Sequence, residues 1–326
     1  MKENGMFDKT APSRTDVRTE KRTFGRRRGR FKRNAGLFGL SLPGVLYLLV
    51  FAYVPMFGIV IAFKNYRYDK GILGSEWIGL KNFEFLFASD NAWRITRNTV
   101  LYNLSFIVIG TAVGLALAIL MSRLGRHWVK VHQTVLFLPY FVSWVVAGYI
   151  ALAFLDNSAG FLNRALESVG LPGRNWYFEK APWPYVLVVA HEWKSIGFGT
   201  LIYFAGIMGI NQDYYEAARI DGATGFQMAR KITIPLLMPL VTIMLILSVG
   251  NMFRGDFGLH YFVPNDSSFA IPTTDIIDTY VFRALRELGD FGMSSAAGFY
   301  QSTVGFVLVL LANYAVRKFN EDNALF

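Results

Sequence analysis

The chain has 326 residues, no cysteine, 53% apolar residues, 17% charged residues and a net charge of +10. A soluble domain carries about 25% charge, so this chain lacks the charge to coat two soluble domains, and intrinsic disorder is excluded for most of it. Without cysteine there is no disulfide framework and no cysteine-ligated metal or iron–sulfur centre. An integral membrane protein is the class that remains.

Residues 1–35 form a basic tail with 12 Lys/Arg, among them Arg26, Arg27, Arg28, Arg30, Lys32 and Arg33 directly before the first apolar stretch. The tail has almost no interleaved aromatics and no fold signal of its own, which argues against nucleic-acid binding. Glu3, Asp8, Asp16 and Glu20 argue against a transit peptide. It reads as a topology signal that touches anionic lipid headgroups.

Six segments are long and apolar enough to cross a hydrocarbon core of about 30 Å as helices: about 37–63, 98–121, 134–155, 185–207, 236–253 and 293–316. Pro43 and Pro55 predict kinks in the first rather than an end. Gly110 and Gly114 in the second have G-x-x-x-G spacing. Gly292, Ser294, Ser295, Ala296, Ala297 and Gly298 open the sixth. Small residues let helix backbones approach closely in lipid, so a packed bundle is expected. The sequence thus predicts an all-α integral membrane fold of six transmembrane helices, with a transmembrane domain over 36–316 and a C-terminal tail over 317–326.

Orientation follows from the Lys/Arg distribution. With the N-terminal tail in the cytoplasm, the inner segments (1–35, about 122–133, about 208–235 and the C-terminal tail) hold 20 basic residues against 9 acidic. The outer segments, about 64–97, 156–184 and 254–292, hold 12 basic against 13 acidic. Both termini are predicted to be cytoplasmic.

No phosphate-binding G-x-x-x-x-G-K-[ST] loop is present, and neither is H-E-x-x-H or G-x-S-x-G. His127, His132, His191 and His260 are scattered, so no metal site and no catalytic residue is expected. The informative stretch is the third inner segment. Ala, Glu, Arg and Met make the stretch from Tyr215 to Phe226, running on to Pro239, a good helix former, Gly222 supplies a bend, and Pro235 suits the first turn of the next span. Two short helices at a bend, lying across the membrane surface and stiffly joined to the fifth span, are predicted. From spacing alone an ordinary amphipathic connector fits as well as a docking element.

Glu216-Ala217-Ala218, Asp221-Gly222-Ala223, Ile232, Ile234-Pro235-Leu236 and Pro239 together resemble the coupling-loop signature of ABC importer permeases. Trp193-Lys194-Ser195-Ile196-Gly197-Phe198, Leu201-Ile202-Tyr203 and Phe137-Leu138-Pro139-Tyr140 resemble the carbohydrate, maltose-permease-like branch. Arg254-Gly255-Asp256-Phe257-Gly258 and Asn323-Ala324-Leu325-Phe326 resemble the subgroup that handles oligo- and polysaccharides, including uronate-containing sugars. The resemblance covers roughly 35–326. It implies the type I ABC importer permease fold in a bacterial cytoplasmic membrane. It also implies a second homologous permease subunit, two ATPase subunits that bind ATP and Mg²⁺, and an extracellular solute-binding protein that delivers a carbohydrate. This chain itself would hold no cofactor. Glu216 would meet a basic residue of the ATPase, Gly222 would give the bend, and Asp221 would cap the second short helix.

A buried charge in a span is by default a functional group. Trp193 lies about 12 Å into the fourth span, flanked by His191, Glu192 and Lys194. Glu192 and Lys194 are two apart and face different sides. Tyr300 and Gln301 share this depth, and Tyr140, Trp144 and Asn251 are expected to complete a sugar path. Arg254 and Asp256 sit at its outer mouth, available to each other, to the binding protein or, for Arg254, to an acidic sugar. An ATP-independent channel or secondary transporter is the rival reading, but no internal repeat of the kind such transporters show is evident.

The absence of native cysteine makes the topology directly testable. Single cysteines placed in 64–97 or 254–292 are expected to react with an impermeant thiol reagent from outside. Outside labelling of 208–235 instead would reverse the orientation.

Overall fold

A computed structural model describes residues 35–84 and 90–319. The basic tail over 1–34 and the last residues, with Asn323-Ala324-Leu325-Phe326, lie outside the described residues. Backbone contacts divide the chain into residues 1–57 and 58–326. The described part of the first unit is one helical run. Helix α1, Ala35–Leu48, contains Pro43 and continues through a π-turn, Leu49–Tyr53, into Val54–Met56 with Pro55. Neither proline ends it. The wider π-turn falls directly before Pro55, where the ring needs room and no N–H is available.

The second unit is built on long helices. A 3-10 run over Phe57–Phe63 leads to a two-residue antiparallel pair, β1 (Lys64–Asn65) with β2 (Glu76–Trp77), Lys64 opposite Trp77. This pair is an addition to the expected all-helical chain. Helix α2 spans Asp90–Met121 and begins well before the expected residue 98. The third expected span is not one helix. It divides into α3, Arg126–Phe137, a 3-10 turn over Leu138–Phe141, and α4, Trp144–Leu155, with a 99° bend. The break has a local cause: Pro139 opens the 3-10 turn, and Ser143 caps α4, its Oγ accepting the Val146 N–H at 3.3 Å.

After α5, Phe161–Ser168, helix α6 covers Trp183–Met208 and α7 covers Asp213–Ile220, the two bent by 75°. The fifth span is longer than the expected 236–253. Gly225–Gly250 forms one 26-residue helical run, with a π-turn over Ala229–Thr233 before α8, Ile234–Gly250. The second short helix of the bend is therefore the first turn of this span, not a separate piece. Helices α9, Phe257–Phe262, and α10, Ile277–Leu288, precede α11, Phe291–Phe319. Among the described residues four helices are long and apolar enough to span a membrane, or up to six when each bent pair counts as one. The chain is a multi-pass membrane protein.

Helix α6 is the centre of the second unit, packed on α2, α3 and α8. The small residues read as contact points do lie at contacts. Gly110 faces the Glu192 carboxylate, and Gly114 faces Tyr203 and the Thr200 backbone. Ala296 and Ala297 of α11 are fully buried, whereas Gly298 faces open space. At one end of the bundle Tyr102, Phe106, Leu155, Trp183, Leu187 and Leu259 form one apolar core. At the other, Ala118, Tyr203, Ile207, Leu237 and Val241 form a second. Just before α10, buried Asp275 accepts from Arg283 at 2.6 Å and from the Thr279 hydroxyl at 2.7 Å, which compensates its burial.

The closest backbone approach is at Gly197, where a Cβ would overlap the Leu136 carbonyl of α3. Backbone cannot rotate aside. Gly197→Val is expected to destabilise the fold by about 1–3 kcal/mol, lowering the melting temperature in detergent, whereas Gly199→Ala, with no atom within 4 Å of the added methyl, is expected to leave it unchanged. Equal melting temperatures would show that α6 and α3 are free to separate.

Candidate functional site

Two places in the second unit gather functional groups. The first is the bend between α6 and α8. The end of α7 has the geometry of a Schellman motif: the Ala223 N–H donates to the Ala218 carbonyl at 2.9 Å and the Gly222 N–H to the Arg219 carbonyl at 3.1 Å. Gly222 stands at φ +76°, where a Cβ would be strained even though the space around it is open. Asp213 and Glu216 in the first turn and Arg219 in the last complement the helix dipole. Asp221 closes α7 and does not cap the following helix. That role belongs to Thr224, whose Oγ1 accepts the Gln227 N–H at 3.3 Å while Gln227 Oε1 accepts the Thr224 N–H at 2.7 Å. The T-x-x-Q spacing of this capping box was readable in the sequence.

The bend is tied down on both sides. The Tyr215 hydroxyl hydrogen-bonds to buried Thr233 Oγ1 at 2.9 Å, and the Arg123 guanidinium beyond the end of α2 donates to the Gly225 carbonyl. Glu216 and Ala217 are exposed, Ala218 and Ala223 half-buried, and Pro235 exposed at the start of α8. Tyr214, Phe226 and Ile220, the last 86% exposed, present apolar side chains beside Glu216 in sequence. Ile220, four residues after Glu216, shares its side of α7, so an exposed carboxylate and a large exposed apolar side chain stand together on a braced helix, an arrangement suited to a protein partner.

The second place is a cavity of about 430 Å³ between α2, α6 and α8. Asn103, Phe106, Gly110 and Thr111 come from α2, His191, Glu192, Ser195, Gly199 and Tyr203 from α6, and Ser248 from α8, with Asn251 just beyond its end. Of the residues expected along a sugar path, Glu192 and Asn251 line it. The others are elsewhere. Lys194 Nζ donates to the Tyr140 carbonyl at 2.6 Å and sits 5.3 Å from the Tyr140 ring and 5.5 Å from the Trp144 ring. Trp144 Nε1 donates to Asp256 Oδ2 at 2.8 Å. Tyr140, Trp144, Lys194 and Asp256 thus form a cluster of their own, a cation held by two aromatic faces and a carbonyl.

Trp193 is 42% exposed and is not part of the cavity wall. Tyr300 packs edge-on against Phe253. Gln301 is buried, its Nε2 donating to the Phe253 carbonyl at 2.7 Å and to Asp278 Oδ2 at 3.0 Å. Burial pushes the Asp278 carboxyl above the usual carboxylate range, and the Gln301 and Gly255 N–H groups oppose that shift. Arg254 reaches Ser302 Oγ at 3.2 Å. Equal depth grouped Trp193, Tyr300 and Gln301 in the sequence. The structure groups by helix face, so Ser195, Gly199 and Tyr203, three, seven and eleven residues after Glu192, share its wall.

Residues 107–321 match the family described as binding-protein-dependent transport system inner membrane component. The chain belongs to this family. Among relatives of this transport component, the polygalacturonan/rhamnogalacturonan transport system permease protein YteP of Bacillus subtilis (strain 168) is 33% identical over 88% of this chain and 89% of its own. The trehalose/maltose transport system permease protein MalF of Thermococcus litoralis is 30% identical over 87% of this chain and 94% of its own. Among solved structures, a bacterial ABC transporter involved in the import of the acidic polysaccharide alginate superposes with a TM-score of 0.81 at 29% identity, over 90% of this chain and 99% of the other. The fold is thus that of an ABC importer permease.

For this transport component the position of Gln301 makes a prediction. Gln301→Ala removes a donor from buried Asp278 and from the Phe253 carbonyl and is expected to cost about 1–3 kcal/mol of stability, seen as a lower melting temperature, with the preference among transported sugars unchanged. A changed preference at wild-type stability would return Gln301 to the path.

Proposed function

We propose that this chain is one permease subunit of an ATP-driven importer for an oligo- or polysaccharide. The observation that carries the reading is the braced, capped bend over Asp213–Thr233, which presents Glu216 on a short helix tied to the first turns of a membrane span. Relatives named as sugar transport permeases support the carbohydrate class. The alginate importer has also been solved with an alginate pentasaccharide-bound periplasmic protein, and that structure matches this chain with a TM-score of 0.80.

In this reading a second homologous permease completes the pathway and an extracellular binding protein delivers the sugar. Two ATPase subunits, which bind ATP and Mg²⁺, dock on the cytoplasmic face. Glu216, Ala217, Ala218 and Ala223 form the docking ridge, Asp221 and Gly222 its turn, and Pro235 lies on the span it moves. Both termini are cytoplasmic, as the Lys/Arg distribution requires. Closing of the ATPases displaces α7, and α8 moves with it. The bend needs only to contact the ATPase differently in its two states for hydrolysis to shift the equilibrium. In this reading the ATPase subunits bind and hydrolyse ATP, and this chain supplies the membrane path and the bend they act on. An ATP-independent channel or secondary transporter has no use for a docking segment of this kind and is not favoured.

Glu216→Ala and Gly222→Pro test the reading in the reconstituted complex. Both variants are expected to insert and to co-purify with the partner permease, and to lose most of the ATP hydrolysis stimulated by the sugar-loaded binding protein. Wild-type stimulation in both would remove the coupling assignment.

A further inference from the structure

We propose that Glu192 makes the cavity between α2, α6 and α8 selective for uncharged sugar and disfavours uronate-bearing chains. This rests on the importer reading above and deepens it by naming the substrate class. Among the residues that line the cavity the only carboxylate is Glu192, and none is Lys or Arg. Glu192 Oε1 is buried without a hydrogen-bond partner. The nearest base is His191, whose Nδ1 lies 3.5 Å from that oxygen and is itself without a hydrogen-bond partner, its ring stacked 3.7 Å from Phe106. Lys194, two residues on, is committed to the Tyr140 carbonyl on another face. Gly110 leaves the carboxylate its room: a Cβ there would meet Glu192 Oε2 at 3.3 Å.

A carboxylate kept inside a span at the cost of desolvation marks function. Once ionised it only accepts hydrogen bonds, so its matched ligand is a donor, and sugar hydroxyls are donors. On the same wall the Ser195 hydroxyl can donate or accept, Asn103 keeps one amide N–H and its carbonyl after donating to the Thr99 carbonyl at 2.9 Å, and Ser248, whose hydroxyl donates to the Met244 carbonyl at 2.8 Å, offers an acceptor to a neutral ring. A uronate brings a second anion and a second acceptor-only group to a wall with no Lys or Arg to receive it. An unpaired like charge is a way of rejecting one ligand while keeping another. In this the cavity departs from what an importer of an acidic polysaccharide needs at the same place.

The test uses the full complex in proteoliposomes, with one binding protein serving all variants so that its own preference cancels. The probes are galacturonate oligosaccharides of one length, supplied either as the free acid or as the methyl ester. ATP-dependent uptake is measured per assembled complex and expressed as the ester-to-acid ratio. Glu192→Gln, which removes the charge, and Ser195→Lys, which sets a cation on the same wall, are each expected to lower the ratio about tenfold. Glu192→Asp, which retains the charge, is expected to keep it. If Glu192→Gln fails to assemble, Ser195→Lys carries the test. A ratio unchanged in the assembled variants overturns charge selection while leaving import intact. Absence of ATP-dependent uptake of either form by the wild-type complex overturns the sugar-import reading beneath it.

Discussion

The structure of residues 58–326 depends on how closely α6 approaches its neighbours. Lipid offers no hydrophobic reward for bringing helices together, so association relies on van der Waals contact at short backbone separation. Gly197 lets α6 meet the end of α3 at the Leu136 carbonyl, and Gly110 and Gly114 let α2 lie against the other side. With both contacts made, the Glu192 face of α6 looks onto α2 and α8 while the Lys194 face looks onto the Tyr140–Trp144 turn. The separation of an anionic cavity from a cation–aromatic cluster is thus a consequence of helix phase. Two residues apart on one helix, opposite charges find different surroundings.

The same helix leads to the bend over Asp213–Thr233. Helix α6 ends at Met208, and α7 leaves it at a 75° angle. No single interaction there is strong, since a cap or a neutral hydrogen bond contributes about 1 kcal/mol. The bend instead closes in several places at once: the Gly222 turn, the Thr224–Gln227 box, the Tyr215–Thr233 hydrogen bond and the Arg123 contact to Gly225. Helix α7 is therefore hitched to the first turns of a 26-residue helical run, so that a displacement of α7 has a stiff element to act on.

Much of this was legible in the sequence, for physical reasons that also mark the limit. Apolar length locates spans, because the hydrocarbon thickness sets it, and the small residues at 110, 114, 296 and 297 announced contacts that exist. The break at Val142–Ser143 was missed because hydropathy does not register a proline-opened 3-10 turn followed by a serine cap. Pro235 was read as a starting point, whereas the π-turn over Ala229–Thr233 carries the helix through it. Asp221 was given a cap that Thr224 makes, an error the T-x-x-Q spacing would have prevented. Depth alone groups Trp193 with Gln301, whereas the 3.6-residue period, applied to Glu192, picks out Ser195, Gly199 and Tyr203 as its neighbours on the cavity wall.

In the proposed importer α7 and α8 move as one body when the ATPases close. A distance between nitroxide labels at Ile220→Cys and Leu236→Cys, both exposed positions, tests it most directly, measured in the assembled complex with and without trapped ATP. If the bend is a rigid hitch, the distance distribution is the same in both states. A shift between states comparable to one helical turn, about 5.4 Å, would mean that the docking ridge swings independently of the span and that coupling must run by another route.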